Sequence, residues 1–422
     1  MNSIPSAQQA SENYDVVIIG AGPSGSVAGS LLAADGLSVL ILEKQYFPRF
    51  SIGESLLPQC MEFLKEAGLE QALDRYAEEF GFQFKNGAAF HKRGKNTAFD
   101  FTEKFSAGRG TTYQVKRAIF DKLLADETAK KNVEIRYGHQ VNAVPSLKPE
   151  VCLDVADEDG VAYQVQAKFL LDASGFGRVL PRLLNLELPS AFPVRHSYFS
   201  HFKDGIDCPA FDRDKILITV NPNFSDVWYW LIPFSDGSAS IGVVGLPERF
   251  DGSLSPIETL QAFLKQDPNL QRLLKNATPI GEARVLKGYA ADVTTLWGDN
   301  FALLGNAGEF LDPVFSSGVT IAMKSASLAA PLVKRQLQGD VVDWQSEYAT
   351  PLKFGVDTFR CFVEAWYDER FQNVVYHDQH DDAVRRMISS ILAGYAWDKK
   401  NPFVEKSERR LSVLAEICQP VS

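Results

Sequence analysis

Three glycines near the N-terminus have the spacing of a phosphate-binding loop. Gly20, Gly22 and Gly25 form the pattern G-x-G-x-x-G between the apolar run that starts at Tyr14 and a stretch of small residues. In such a loop the first glycine makes a tight turn, the second lets the backbone approach a pyrophosphate, and the third lets helix and strand touch. The free N–H groups of the helix N-terminus bind the pyrophosphate. The spacing therefore predicts a dinucleotide site.

An acidic residue follows where the ribose of such a nucleotide would be bound. A second apolar run, Leu37–Leu42, comes after the helix and ends at Glu43. A carboxylate about 20 residues after the loop can accept hydrogen bonds from ribose hydroxyls. The order of strand, helix, strand and acid supports the dinucleotide site, but it does not separate FAD from NAD.

The segment Lys44–Pro58 is a loop punctuated by glycine, proline and serine. Because it follows the second strand directly, Arg49 and the Gly53-Glu54-Ser55 turn are candidates for lining the cofactor. A second interpretation is that Ser55 caps the N-terminus of a helix predicted over Leu56–Ala67.

Two basic residues each have two interpretations. Lys85 lies within an alternating run, Gly81–Phe90, that predicts one strand, and spacing alone favours a solvated lysine on its outer face. Arg117 lies in the first turn of a helix predicted over Lys116–Ala125. It can reach phosphate, or it can pair with Asp121 four residues on.

Further candidates follow predicted strands later in the chain. Asp172 begins the sequence Asp-Ala-Ser-Gly, where a ribose or diphosphate could lie, and Gly305–Gly308 follows the strand Phe301–Leu304. Ser316, Ser317 and Gly318 precede a helix predicted over Val319–Leu337. Backbone N–H groups at a helix N-terminus bind anions, although N-capping alone would also explain the two serines.

These candidates require an α/β fold with an insertion. Apolar runs that alternate with predicted helices indicate a parallel, Rossmann-like sheet. Between 190 and 290, strand-like runs separated by turn residues predict an inserted antiparallel sheet, in which Trp228, Trp230 and Ile232 share one face. We expect residues 1–80, 110–180 and 280–337 to form the cofactor-binding domain, 81–109 and 181–279 a β-rich substrate region, and 338–422 a helical C-terminal region.

Composition narrows the class of protein. With 422 residues, 45% hydrophobic and 23% charged, the chain resembles an ordinary globular enzyme. A net charge of −10 argues against nucleic acid or an anionic membrane as the main partner. No apolar run approaches the roughly 20 residues that span a bilayer. The first 13 residues lack the features of a signal peptide and predict a frayed tail. The five cysteines are scattered, which predicts reduced thiols in a cytoplasm and no metal site.

Together these motifs resemble the flavin-dependent halogenases, a branch of the aromatic-hydroxylase-like FAD enzymes. Trp228-x-Trp230-x-Ile232-Pro233 is similar to the family motif W-x-W-x-I-P, and Phe310-x-x-Pro313-x-x-Ser316-x-Gly318 is similar to its F-x-x-P-x-x-S-x-G. Residues 82–90, FQFKNGAAF, resemble the strand that carries the catalytic lysine of the family. The resemblance reverses the interpretation of Lys85 as a solvated side chain.

The resemblance implies roles for individual residues. Lys85 would be catalytic, Ser316, Ser317 and Gly318 would hold the halide, and Trp228, Trp230, Ile232, Pro233 and Phe315 would line the substrate pocket and tunnel. The residues expected to bind FAD are Gly20, Gly22, Ser24, Gly25, Glu43, Lys44, Arg49, Ser51, Gly53, Arg117, Val141, Asp172, Gly305, Asn306, Asp312, Gly318 and Val319.

Two residues depart from the family pattern. Phe315 stands where tryptophan halogenases carry a catalytic glutamate. The absence of this glutamate resembles the branch that acts on phenols and pyrroles, whose electron-rich rings need less assistance. Asn306 stands where related flavoproteins usually have aspartate, and an amide can still hydrogen-bond ribityl hydroxyls.

The activity implied is halogenation by hypohalous acid, made from reduced FAD (FADH2), O2 and chloride or bromide, as in natural-product and antibiotic biosynthesis. Lys85 would direct the oxidant, as an ammonium that polarises it or as an amine that forms a haloamine. One dinucleotide loop implies a separate NAD(P)H-flavin reductase. The aromatic C-terminal region resembles halogenases whose rings are tethered to acyl or peptidyl carrier proteins, with a free pyrrole or phenol as the alternative. The rival activities are a flavin-dependent aromatic hydroxylase and a flavin electron carrier.

Overall fold

The computed structural model describes residues 12–378 and 381–419. Most of the tail predicted for the first 13 residues lies outside them. Two eight-stranded sheets dominate the structure. The first contains five parallel strands. In chain order its strands are β1 (Glu12–Ile19), β2 (Val39–Glu43), β7 (Glu134–Tyr137), β8 (Gln140–Ser146), β9 (Val151–Ala156), β10 (Ala162–Asp172), β19 (Trp297–Gly298) and β20 (Phe301–Leu303). Antiparallel strands are added to it at one edge, where β19 pairs with β20, and at β10, which pairs with β9 and through it with β8.

The second sheet is antiparallel except where β13 pairs with β4. Its strands are β4 (Gly87–Lys92), β5 (Lys95–Asp100), β12 (His196–Lys203), β13 (Lys215–Val220), β14 (Trp228–Pro233), β15 (Ser238–Gly245), β16 (Thr278–Pro279) and β17 (Arg284–Lys287). Two small sheets complete the set, formed by β3 (Gln83–Lys85) with β6 (Thr112–Gln114) and by β11 (Glu187–Pro189) with β18 (Ala291–Val293).

Thirteen α-helices lie in the described part of the chain. They are α1 (Pro23–Ala34), α2 (Gln59–Glu66), α3 (Glu70–Tyr76), α4 (Arg117–Ala129), α5 (Val179–Leu183), α6 (Pro256–Leu264), α7 (Pro268–Leu273), α8 (Ser317–Leu337), α9 (Thr350–Tyr367), α10 (Arg370–Val375), α11 (Asp382–Leu392), α12 (Pro402–Glu405) and α13 (Ser407–Ile417). This architecture confirms the predicted fold class: a Rossmann-like α/β sheet, an inserted antiparallel sheet and a helical C-terminal region. None of the described helices combines the length and apolar character needed to cross a bilayer.

The β1–α1–β2 unit explains why the chain turns at the glycine loop. The strands β1, β2 and β10 lie side by side in parallel, and the core residues Val16–Ile18 are fully buried. Helix α1 contacts α4 and α8, and Gly20 adopts a left-handed φ of +97° at the turn. The carboxyl ends of these strands therefore open toward one edge of the sheet, where nucleotides bind in this type of fold.

The alternation predicted for the tryptophan motif is correct. Trp228, Trp230 and Ile232 belong to the main hydrophobic core, whereas Tyr229 and Leu231 point into a second core that is packed under α6 and α7. Successive side chains of a strand point to opposite faces, so β14 contributes to both cores at once.

The predicted single strand Gly81–Phe90 is wrong. The chain forms two short strands, β3 and β4, which belong to different sheets, and the break falls at Asn86. The N–H of Asn86 donates to the carbonyl oxygen of Asp214, and its own carbonyl oxygen accepts from the N–H of Phe101. Because pairing changes partner at this point, Lys85 leaves the sheet surface and enters the protein interior.

Two glycines of the nucleotide loop differ in the space around them, which generates a stability prediction. A Cβ on Gly25 would lie 2.0 Å from the carbonyl oxygen of Gly20, whereas a Cβ on Gly22 would lie 3.5 Å from a guanidinium nitrogen of Arg49. We expect Gly25→Ala to lower the midpoint of thermal unfolding strongly and Gly22→Ala to change it little. Thermal unfolding followed by circular dichroism measures both, and equal midpoints for the two variants would contradict the predicted packing.

Candidate active site

A cavity of about 610 Å³ lies where the parallel sheet, the antiparallel sheet and α8 meet. Most of the residues that the sequence predicts as FAD ligands line it. They are Gly20, Gly22, Ser24, Glu43, Lys44, Arg49, Ser51, Gly53, Arg117, Val141, Asn306, Gly318 and Val319. Gly25, Asp172, Gly305 and Asp312 lie behind this lining. The fold therefore brings residues from five separated segments into one site.

Glu43 fixes the glycine loop from inside. Its carboxylate accepts hydrogen bonds from the N–H of Ala21 and the N–H of Gln45, both at 3.0 Å. A carboxylate has about four lone-pair positions, so Glu43 retains acceptors for ribose hydroxyls while it holds the loop.

Two arginines share one buried carboxylate at the cavity wall. Asp121 is fully buried and accepts hydrogen bonds from Nε of Arg117 at 2.8 Å and from Nη1 of Arg49 at 3.0 Å. Both interpretations of Arg117 are thus compatible, because it pairs with Asp121 and also lines the cavity. Arg49 also lies 3.6 Å from a carboxylate oxygen of Glu43, so the two guanidiniums are balanced by two carboxylates. Guanidinium N–H groups that these pairs leave free can still donate to a diphosphate.

Asn306 supplies an acceptor with no partner. Its side-chain oxygen is buried, makes no hydrogen bond to the described residues, and faces the cavity 3.8 Å from where a Cβ on Gly318 would stand. Arg178, which the sequence analysis missed, supports this turn by donating to the carbonyl oxygens of Asn306 and Gly308. A hydroxyl donor of FAD would satisfy the free amide oxygen, so the residues present fit this cofactor.

Asp172 and Asp312, which the sequence predicts as FAD ligands, accept hydrogen bonds from backbone N–H groups and do not line the cavity. Asp172 accepts from the N–H groups of Ser174 and Leu180, and burial raises its pKa. Asp312 accepts from the N–H of Val314 and from the hydroxyl of Tyr367 at 2.9 Å, and burial raises its pKa too. Each carboxylate fixes a turn whose neighbouring residues line the cavity.

The predicted halide loop lies at the N-terminus of α8. A short turn over Pro313–Phe315 ends at Ser316, whose φ is +57°, and α8 then begins at Ser317. Ser316 makes no side-chain capping bond, so capping does not account for it. Ser316 and Gly318 face the cavity, whereas Ser317 is buried beside it. The uncapped N–H groups of this 21-residue helix are donors of the kind that can bind an anion.

The predicted tunnel residues divide into two groups. Trp228, Trp230 and Ile232 line the cavity and form what we call the tryptophan wall. Gly242 makes room for it, because a Cβ there would lie 2.3 Å from the ring of Trp230. Pro233 ends β14 away from the lining. Phe315 also lies outside it, packed edge-on against Trp366 at 5.7 Å and against Phe371 at 5.4 Å.

Lys85 is completely buried, which excludes the solvated interpretation. Its Nζ donates to Oγ of Ser55 at 2.8 Å and to the carbonyl oxygen of Leu56 at 2.7 Å, and it lies 5.6 Å from the ring centroid of Phe101. No carboxylate lies within ion-pair distance of it among the described residues. Burial without a counter-charge lowers the pKa of Lys85 to about 7.

Ser55 connects this amine to the cavity. It lines the cavity while its hydroxyl accepts from Lys85. Helix α2 begins at Gln59 after Pro58, so Ser55 is not its cap as one interpretation proposed. The turn is held by a β-bridge from Ser55 to Gln114 and by an ion pair of 2.6 Å between Glu54 and His201. Sequence reasoning missed this role because Ser55 and Lys85 are 30 residues apart.

Comparisons with known proteins identify the family and the fold. Residues 13–233 match the family model described as an FAD binding domain. The 1H-pyrrole-2-carbonyl-(peptidyl-carrier protein) brominase of Pseudoalteromonas luteoviolacea is 32% identical over 345 residues, covering 80% of each chain. The corresponding chlorinase of Pseudomonas fluorescens is 27% identical, covering 96% of this chain and 94% of the chlorinase. A solved flavoprotein/dehydrogenase of Cytophaga hutchinsonii has 42% identity and a TM-score of 0.92, covering 97% of this chain and 99% of its own.

The burial of Lys85 has a measurable stability consequence. Its pKa of about 7 in the folded protein lies below the 10.5 of an unperturbed lysine. The unfolded chain therefore binds more protons between these values, so the destabilisation is complete below pH 7 and disappears as pH rises through 10.5. We expect Lys85→Met to raise the free energy of unfolding at pH 6 by up to about 5 kcal/mol, and by much less at pH 10.

Chemical denaturation of both proteins at the two pH values measures this difference. Lys95→Met is the matched control, because Lys95 is a half-exposed lysine on β5. Destabilisation by Lys85→Met at pH 6 would contradict the uncompensated burial of this amine.

Proposed function

The chain belongs to the flavin-dependent halogenases, and we propose that it halogenates a pyrrole or phenol ring tethered to a carrier protein, with Lys85 directing the oxidant. It is an FAD-dependent oxidoreductase that acts on aromatic or pyrrole substrates with chloride or bromide and O2. The observation that carries the proposal is the buried amine of Lys85, joined to the cavity through Ser55.

Bound reduced FAD supplies the O2 chemistry that converts a halide ion into hypohalous acid. The protein contributes the position of the halide, which we assign to the backbone N–H groups at Ser316–Gly318. Ser316 leaves these groups uncapped, and Phe310 packs 3.1 Å from where a Cβ on Gly318 would be, so a side chain there would require the Phe310 ring to shift by a few tenths of an ångström.

Lys85 holds the oxidant by hydrogen bonding. Its two partners, the Leu56 carbonyl and the Ser55 hydroxyl, both accept from Nζ. An ammonium has three N–H groups, so one remains to donate to the oxygen of hypohalous acid and to polarise its oxygen–halogen bond. The pKa of about 7 also leaves a neutral amine available, which could form a haloamine instead. Either form can satisfy the two acceptors, and only the ammonium keeps a third N–H for the oxidant, so we assign the hydrogen-bonding role to the ammonium.

The proposed substrate class, an electron-rich ring on a carrier protein, is supported by Phe315 in the predicted halide loop and by the substrates of two relatives. Phe315 occupies the position of the glutamate that assists indole halogenation, and aromatic rings surround it. An electron-rich ring needs no such base. Two relatives act on pyrrole rings bound to a peptidyl-carrier protein, which supports a tethered substrate here.

We further propose that a separate NAD(P)H-flavin reductase supplies FADH2, because the described chain contains one dinucleotide loop. A reducing cytoplasm suits this supply and the five free thiols.

Lys85→Ala tests the catalytic role. We expect ring halogenation to fall by at least about a hundredfold, while halide-dependent FADH2 oxidation stays within about twofold, because the variant removes only the group that directs the oxidant. Product is measured by mass spectrometry and FADH2 oxidation by absorbance, with Lys95→Ala as the control. Persistent ring halogenation in Lys85→Ala would refute the assignment. Ring hydroxylation by the wild-type enzyme without halide would instead indicate a hydroxylase.

The pH dependence tests which form of Lys85 acts. We expect halogenated product per FADH2 oxidised to fall as pH rises through about 7, because the donating ammonium is lost above the pKa of Lys85. Halogenation of the same ring by free hypohalous acid over the same pH series controls for ionisation of the reagent. A ratio that rises with pH would assign the transfer to the neutral amine and contradict the hydrogen-bonding role.

A further inference from the structure

A groove of about 490 Å³ lies between α11 and α13, away from the flavin cavity. Its apolar surface includes Val384 and Met387 on α11 and Leu414 on α13. Two further apolar side chains on α13 are unusually exposed for their size, Val413 at 51% and Ile417 at 69%. These two are four residues apart and therefore share one helix face. An open apolar groove of this kind can accommodate apolar side chains of another molecule.

Unpaired cations surround this groove. Lys406, Arg409 and Arg410 are exposed and line it, and none of them forms an ion pair with the described residues. The nearby Glu408 is engaged by Arg370 at 2.8 Å instead. In a chain of net charge −10, the groove lining contains these three cations and no acidic side chain, whereas the exposed Glu405 and Glu416 lie outside the lining. Its charge complements an acidic partner.

The helix that forms one side of the groove also contacts the segment over Lys85. On the inner face of α11, Ser389 donates to the carbonyl oxygen of Asp100, and Ser390 accepts from the N–H of Ser106. Phe101, next to Asp100, is the ring beside Lys85. One helix diameter of about 10 Å therefore separates the groove from this segment. A substrate ring on a flexible covalent linker can cover such a distance. The surface of a docked protein cannot itself reach a buried lysine.

We propose that this groove docks the carrier protein through an acidic amphipathic helix. Apolar residues of that helix would contact Val413 and Ile417, and its carboxylates would face Lys406, Arg409 and Arg410. The inference rests on the tethered substrate proposed above. A second copy of this chain fits the groove less well. A two-fold interface would place Lys406, Arg409 and Arg410 of one copy against the same three cations of the other.

The double variant Arg409→Glu/Arg410→Glu tests the docking. Its kcat/KM is measured on the ring as a carrier-protein thioester and on the same ring as a small soluble thioester. We expect a loss of about tenfold or more on the carrier-bound ring, mainly through KM and with a weaker salt dependence, and a change within about twofold on the soluble thioester. Lys399→Glu/Lys400→Glu makes the same charge change outside the groove and should leave both reactions unaltered.

The outcomes separate the two proposals. If the wild-type enzyme halogenates the carrier-bound ring and Arg409→Glu/Arg410→Glu does so equally well, the docking site is wrong and the tethered substrate stands. If the wild-type enzyme accepts only the soluble thioester, both are wrong. Equal losses on both substrates, in this variant and in the milder Arg409→Gln/Arg410→Gln, would also overturn the docking. A wild-type dimer in gel filtration that the variant abolishes would assign the groove to a second copy.

Discussion

An amine buried without a counter-charge is the feature on which the rest of this structure depends. Lys85 has no exposed surface, and among the residues that the structure describes its hydrogen-bond partners are a serine hydroxyl and a backbone carbonyl. Such a group destabilises the folded protein, and the pKa of about 7 expresses that destabilisation. A purely structural position would be filled more favourably by an apolar residue. The proposed catalytic role accounts for a lysine here, because a buried ammonium can hold the oxidant by hydrogen bonding.

Two sheets with different tasks make this arrangement possible. The parallel sheet presents its strand ends and the N-terminus of α8 to the FAD cavity, and the antiparallel sheet closes the cavity with the tryptophan wall. Lys85 stands in neither sheet. It lies on β3, a short strand paired only with β6, and Ser55 is bridged to the same β6. This small sheet therefore fixes the distance between the lysine and the cavity independently of the large sheets.

Local patterns predicted much of the fold and only part of the site. The glycine loop, Glu43 and the alternation of Trp228–Ile232 depend on neighbours in sequence, so they could be identified there. The burial of Lys85 could not, because its strand breaks at Asn86 and pairs with residues that lie later in the chain. The same holds for Arg178, which supports Asn306 from 128 residues away. The resemblance to halogenases selected Lys85, but the contact with Ser55 required the three-dimensional structure.

The central claim is that the oxidant reaches Lys85 inside the protein and does not act from solution. A single-turnover reaction with reduced FAD, O2 and a mixture of chloride and bromide tests it directly, with excess methionine added as a soluble scavenger of hypohalous acid. Mass spectrometry of the ring gives the yield with and without scavenger. An unchanged yield of halogenated ring is the predicted result. A yield that falls in proportion to the methionine would show that the oxidant reacts in solution and would contradict the assigned route.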